Sequence, residues 1–301
     1  MDAEALNTFL TVYRQRGFST AARVLNRTQP AISHRISLLE QELGMPLFER
    51  MSNGIALSQA GRVLLPYAER ALAALQDAET AVRALKTENA GPVSLAVVGT
   101  LASTSLTAIL KRFAAGHPSV DLALRTVRST EVSDLVRRGE ATIGIRYDRD
   151  RSADLRYDCL GVERLLVVCS TDHALAGRSI PSLAGLVDER WIAFPEIPGQ
   201  REIWASHVFS IFQTLGLGDV DWTPVDSLTA QKRLVEAGFG LALMTESGVA
   251  EELAAGTLVA IDVADLTPTI PIFVVTRRGG FLSAAASRLL DLLGTGFLAK
   301  D

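Results

Sequence analysis

Apolar positions recur every three or four residues in three short runs before residue 45. They keep that spacing through one long run near 64–85, and after residue 92 they gather into compact blocks separated by amphipathic ones. Leu6, Phe9, Leu10 and Tyr13 have helical spacing, and Gly17 is expected to end that helix in the left-handed conformation. Ser19 is placed to cap a second helix filled by Ala21, Ala22, Val24 and Leu25, with Asn26-Arg27 as a turn. Thr28 caps a third helix with Gln29 and Pro30 in its first turn, and Gly44 stops it after Leu43. Ile32, Ile36, Leu39 and Leu43 make one apolar stripe, so Gln29, Ser33, His34 and Ser37 face elsewhere. Two short helices joined by a tight turn predict a helix-turn-helix.

Leu47-Phe48-Glu49-Arg50, then Asn53-Gly54, then Ile55-Ala56-Leu57 predict a β-hairpin wing, with Asn-Gly as the turn. After Pro66 no Pro or Gly occurs until Gly91, and apolar residues at 64, 68, 71, 75, 78, 82 and 85 alternate steps of four and three. That is a coiled-coil seam, narrowed by the alanines at 68, 71 and 78; a solitary helix lying on its own domain is the alternative. Asn89-Ala90-Gly91-Pro92 breaks the helix.

Beyond it, strand-like Val93–Val98, 120–127 and 142–146 alternate with helical 103–115 and 131–138, a βαβαβ rhythm that implies a mainly parallel sheet. A second set holds the strands 165–169, 191–194 and 241–244, the amphipathic stretch 203–215 and the helix 228–237. The run 270–275 and helix 284–293 return to the first set, giving two lobes with crossings near 161 and 266.

The chain has 301 residues, 48% apolar and 6% aromatic, with 30 Lys plus Arg against 34 Asp plus Glu. This composition fits two or three globular units and excludes collagen-like and disordered classes. Apolar runs are broken well before the roughly 18–20 residues of a membrane span, and the acidic start Met1-Asp2-Ala3-Glu4 lacks an apolar signal segment, which predicts a cytoplasmic protein. The formal charge of −4 hides an asymmetry: residues 14–62 carry seven arginines against three glutamates. A basic island on an acidic chain points to a polyanion meeting the N-terminal segment alone.

Phe18-Ser19-Thr20-Ala21-Ala22, Leu25-Asn26, Thr28 to Ser33, Ile36, Leu39-Glu40, Leu43-Gly44, Leu47 to Arg50 and Leu57 to Gly61 resemble the N-terminus of LysR-type transcriptional regulators. The resemblance is most specific over residues 1–65 and continues more loosely through Gly91-Pro92, Phe113 with His117-Pro118, and Glu236 to Leu241. It implies a winged helix-turn-helix over 1–58, a dimerising linker helix over 59–89, and an effector domain over 90–301. That domain is α/β, two-lobed and like type II periplasmic binding proteins, with lobe one at 92–160 and 267–301 and lobe two at 161–266. The implied partners are a double-stranded DNA operator, a small-molecule effector, RNA polymerase and further copies of the chain as a dimer of dimers.

The third helix should lie in the major groove with its N-terminal residues on base edges. Gln29 pairs with adenine, Pro30 and Ala31 touch a thymine methyl, and Ser33 and His34 reach bases or phosphates; by similarity 29, 30, 33 and 34 are the positions the family uses. His34 stands where relatives often carry Arg or Lys. Arg50 is the leading phosphate clamp, with Arg27 and Thr28 as secondary ones, and a solvated surface is the alternative for each.

For the effector, Gly99-Thr100-Leu101-Ala102-Ser103-Thr104 offers hydroxyls and backbone N–H groups at a helix start, beyond what capping alone requires. Arg128, Ser129 and Thr130 end the next strand, and Arg146 the one after; Gln200, Arg201 and Thr245 come from lobe two. These residues favour an anion, an organic or aromatic carboxylate gripped by Arg146, with pairing of Arg146 to Asp148 or Asp150 as the alternative. No nucleophile with a base, carboxylate pair or metal-ligand spacing points to an enzyme, a metal or a cofactor. A thiol-based redox regulator would need Cys159 and Cys169 as a pair, and a solute-binding transport component would leave residues 1–88 unexplained.

Overall fold

The computed structural model describes residues 1–51, 54–85, 92–102, 104–150, 152–194, 220–266 and 269–298. The chain divides into two compact units, one built mainly from Met1–Glu88 and one from the remainder.

In the first unit, α1 (Ala3–Arg14), α2 (Phe18–Val24) and α3 (Gln29–Leu43) are followed by strands β1 (Phe48–Met51) and β2 (Gly54–Leu57) and the long α4 (Gln59–Ala84). Asp2 caps α1, its carboxylate accepting the Ala5 amide at 2.7 Å. Thr28 caps α3 as expected, and Gly44 ends it with φ of 71°. The end of α1 differs from expectation: Arg16 takes the positive φ of 49°, while Gly17 is extended and forms the N-cap of α2, so Ser19 caps nothing. Phe9, Leu10, Ile36, Leu39 and Leu47 are buried between the helices, and the Phe48 ring meets Phe9 and Phe18 at 5.4 and 5.7 Å. In the hairpin Gly54 pairs with Met51, which places it in β2 rather than at the turn centre; Asn53 lies outside the described residues. Ser58 starts α4 by accepting the Gly61 amide at 3.0 Å and donating to the Pro46 carbonyl at 2.6 Å.

The second unit is a mixed sheet with helices packed on it. Strands β3 (Val93–Val98), β4 (Leu122–Val127) and β5 (Ile143–Tyr147) are parallel, in the order β4, β3, β5. Helices α5 (Thr104–Gly116) and α6 (Ser129–Arg137) make the crossovers. The expectation of a mainly parallel sheet fails at β6 (Leu155–Ser170) and β12 (Thr269–Arg277), which pair antiparallel with each other, β12 also pairing antiparallel with β5. Here the chain passes 161 without leaving the strand: a register shift lets Ile272 face Gly161 and Phe273 face Cys159, bulging Leu160 out of the ladder.

The far half of β6 belongs to the second lobe, where β10 (Ala242–Thr245) and β11 (Leu258–Val263) pair with it antiparallel and β7 (Ser179–Ile180) extends β11. A separate parallel pair, β8 (Trp191–Ala193) and β9 (Trp222–Pro224), precedes α7 (Leu228–Glu236), and α8 (Glu246–Ala255) follows β10 directly. The last helix, α9 (Ala284–Leu298), returns to pack Leu289 and Leu293 into the first-lobe core with Leu106, Ile109 and Phe113. The stretch 203–215 and the 89–91 break lie outside the described residues.

Candidate nucleic-acid interface and ligand cavity

Burial of Ile32, Ile36 and Leu39 fixes which side of α3 faces the core. Arg27, Thr28, Gln29, Pro30 and His34 are exposed and Ser33 half-buried. Gln29 Nε2 donates to Ser33 Oγ at 2.7 Å, one turn apart, which orients the amide on the helix surface. Arg27 Nη2 lies 3.8 Å from Glu4, and Arg35 also pairs with Glu4 at 3.1 Å, so the turn before α3 is tied to the start of α1. Arg50 is exposed on β1 and makes no ion pair with the described residues. The wing base is set from α3, where Glu40 Oε1 accepts the Leu47 amide at 2.7 Å. Exposed donors on the N-terminal half of one helix and an arginine on an adjacent hairpin form a surface suited to a groove and its flanking phosphates.

In the second unit the expected effector residues separate into two groups. Thr100 and Thr245 reach one cavity, lined also by Trp191, Phe194, Gln231 and Leu243. Its volume is about 20 Å³, close to the space one water needs. Gln231 is buried, and its amide nitrogen donates to the Ile192 carbonyl at 2.7 Å. Arg146 is not on this wall. Successive strand residues point to opposite faces, so Arg146 turns away from the side on which Tyr147 lies. Its guanidinium donates from Nε to the Tyr147 carbonyl at 3.0 Å and from Nη1 to Ser133 Oγ at 2.5 Å, with Asp150 at 3.8 Å. The expected carboxylate anchor is therefore engaged within lobe one, as its alternative partner Asp150 suggested. Ser129 Oγ reaches the same Tyr147 carbonyl at 3.4 Å, Thr130 is half-buried and Arg128 exposed. Ser103, Gln200 and Arg201 lie outside the described residues.

Tyr147 joins the two groups. Its backbone carbonyl collects Ser129 and Arg146, while its phenol donates to Glu163 Oε2 at 2.8 Å and lies against the Thr100 and Thr245 hydroxyls. Burial pushes the phenol well above the usual tyrosine range and the Glu163 carboxylate adds to that; the two threonine hydroxyls act the other way. Thr100 Oγ1 is itself buried and makes no hydrogen bond of standard geometry.

Residues 3–62 match the model of bacterial regulatory helix-turn-helix proteins of the lysR family, and residues 86–297 match the LysR substrate binding domain. The chain belongs to the LysR family of transcriptional regulators. It is 30% identical to the HTH-type transcriptional regulator CbbR of Rhodospirillum rubrum, over 96% of this chain and 94% of the relative. It is 27% identical to the RuBisCO operon transcriptional regulator of Allochromatium vinosum, with the same coverage of each. Among solved structures, full-length CbnR complexed with its target DNA superposes with a TM-score of 0.62 at 22% identity, covering 98% of this chain and all of that one. LysG from Corynebacterium glutamicum with bound effector Arg gives 0.61 at 19% identity, covering 99% of each. These likenesses carry the fold: a winged helix-turn-helix, a long helix and a two-lobed effector-binding region.

Three residues of this LysR-type regulator's cavity region escaped the sequence reading. Tyr147 reads as one more apolar strand residue after Arg146. Glu163, between Val162 and Arg164, reads as a solvated strand charge, yet it is buried. Gln231 carries no sequence signal beyond its place in a helix. Glu163 has partners 16 and 84 residues away, a distance that no local pattern spans.

The buried thiol does not support redox sensing. Cys169 is buried, and burial with the nearby Glu189 charge pushes it up to about 11, which keeps it a neutral thiol, while Cys159 is exposed. No described helix is long and apolar enough to cross a membrane.

Proposed function

We propose that this regulator reads its operator with the exposed N-terminal half of α3 and changes its hold on DNA when a small molecule occupies the Thr100–Thr245 cavity. Gln29 is the base-reading residue: with one N–H directed at Ser33, the amide keeps a donor and an acceptor for an adenine edge. Pro30 meets a thymine methyl, Ser33 and His34 reach a base or a phosphate, and Arg50, Arg27 and Thr28 hold phosphates. The Arg27–Glu4 pair is exposed on both sides, so a phosphate displaces it at small cost. The oriented Gln29 amide on the solvent face of a helix whose other face is buried carries this reading.

The proposed working form is a cytoplasmic dimer of dimers that contacts RNA polymerase. Its support is α4, where Leu75, Val82 and Leu85 are 51, 59 and 87% exposed along the heptad seam. An organic effector exceeds the present cavity, so its entry moves the two lobes apart, and that motion is the signal.

Gel-shift titration tests the DNA half. Gln29→Ala should cost about 1–3 kcal/mol and relax discrimination at one base pair per half-site. Arg50→Ala should weaken all sequences alike and make the salt dependence shallower. Unchanged affinity and base preference in Gln29→Ala would show that α3 is wrongly placed.

A further inference from the structure

Strand β6 takes part in the ladders of both lobes. Glu163 pairs with Ile270 of β12, and two residues on Leu165 pairs with Thr245 of β10, so Glu163 sits where the strand passes from lobe one to lobe two. Its carboxylate reaches both ways. Oε2 accepts the phenol of Tyr147, the last residue of β5 in lobe one, at 2.8 Å. Oε1 accepts the backbone amide of Ser247, in the first turn of α8 in lobe two, at 3.2 Å. Tyr147 is 1% and Glu163 7% exposed.

Strand twist varies widely at little cost, so backbone pairing along a crossing strand leaves the angle between the lobes soft. Side-chain bonds reaching to either side decide it. The two oxygens of Glu163 belong to one rigid planar group, so turning one lobe against the other must stretch one of the two bonds, and a buried carboxylate loses either at high cost. The bond on the lobe-two side also replaces a missing cap. Thr245, the N-cap residue of α8, makes no side-chain cap bond, and the Ser247 amide is satisfied instead by a carboxylate 84 positions away, facing the positive end of the helix. The adjacent Arg164–Glu246 pair joins the same two elements, but at 3.9 Å and with side chains 69% and 50% exposed it is too solvated to hold the angle.

We infer that Glu163 is a latch across the inter-lobe hinge: one buried carboxylate holds the end of β5 in lobe one and the start of α8 in lobe two in a single orientation. Tyr147 and Glu163 are then positioning residues. They act on the cavity, whose walls come from both lobes through Thr100 and Thr245, by fixing how the lobes meet. Because a half-made bond to a buried carboxylate is costly, the latch is held or released rather than gradually stretched. The latch belongs to the chain without effector; that its release is the signal rests on the lobe motion proposed above.

The test uses the full chain without ligand. In a Cys159→Ser background, which leaves only the buried Cys169, Ala115→Cys on α5 and Ala250→Cys on α8 put one spin label on the exposed surface of each lobe. Labelled chains are diluted with unlabelled ones, and pulsed electron paramagnetic resonance then reads the distance between the lobes of one chain. The unaltered latch should give one narrow distribution. Tyr147→Phe, which deletes a single oxygen, and Glu163→Leu should each raise the population of other lobe arrangements by about tenfold or more, the weight of one hydrogen bond to a charged group. Leu289→Ala, which weakens the lobe-one core away from the latch, should leave the distribution narrow. Distributions in both latch variants that superpose on that of the unaltered chain overturn the inference, and so does equal broadening in Leu289→Ala. A gel-shift titration of the same variants separates the two readings. If the distances loosen while operator affinity stays that of the unaltered chain, the latch stands and lobe motion is not the signal.

Discussion

Gly61 sits directly beneath the Leu47 backbone: a Cβ added to it would lie 2.2 Å from the Leu47 carbonyl oxygen and 3.0 Å from the Leu57 side chain. The first turn of α4 is thereby pressed onto the base of the wing, with Ser58 bonded to both sides of the junction. Gly61→Ala must push helix and wing apart, and overpacking of this kind costs about 1–3 kcal/mol. Thermal unfolding followed by far-ultraviolet circular dichroism should show the loss, with weaker operator binding beside it. An unchanged melting temperature would mean that the contact yields freely.

The seam of α4 predicts a loss of assembly. Leu75 is half exposed in the single chain, and Leu75→Asp would place a charge in an apolar helix pair, which separation relieves. Sedimentation equilibrium should find smaller species at concentrations where the unaltered chain associates. If the assembly is the same size, the main contact lies elsewhere than in α4.

Arg146→Ala separates a structural from a ligand-binding role. The side chain is 5% exposed and donates to Ser133 and to the Tyr147 carbonyl, so its removal deletes two buried charge-assisted hydrogen bonds at about 1–3 kcal/mol. Chemical denaturation should record the lower stability, while the affinity of any probe bound in the cavity stays within about twofold of the unaltered chain. A loss of binding well beyond that, at undiminished stability, would restore Arg146 as an anchor.

The cysteines predict both a reactivity and a pH dependence. At pH 8 iodoacetamide should modify the exposed Cys159 and spare Cys169, as peptide mass mapping would show. Because the folded chain holds the Cys169 proton up to about 11, against 9.0 for the ordinary thiol, the folded state binds more protons between those values. Stability from this group is complete below pH 9 and falls as the pH rises toward 11. Cys169→Ser should reduce that slope in denaturation measured across the same range.

Much of the DNA-binding unit was determined by the sequence alone, because its signals are local. Thr28 caps the helix it precedes, Gly44 ends it, and the stripe of Ile32, Ile36 and Leu39 assigns the buried side, all within 17 residues of chain. Where a choice depended on the neighbours, the local reading slipped by a residue or two, as at Arg16 and Gly17, and at Gly54 in the wing. In the effector unit the alternation of strands and helices was legible, but not which strands pair, because strand direction is decided by where the chain returns from. The antiparallel pairing of β12 with β5 and β6 therefore emerges only in the folded chain. The candidate site divides along the same line. Thr100 and Thr245 announce themselves as hydroxyls beside helix starts, whereas the face taken by Arg146 was set by strand pleating and by Ser133 on the helix packed against it, with Asp150 just beyond the strand. Tyr147 and Glu163 matter because burial brings a phenol and a carboxylate from different strands within 2.8 Å. Such a pair costs too much to leave unsatisfied and has no periodicity to betray it, so tertiary packing alone decides it.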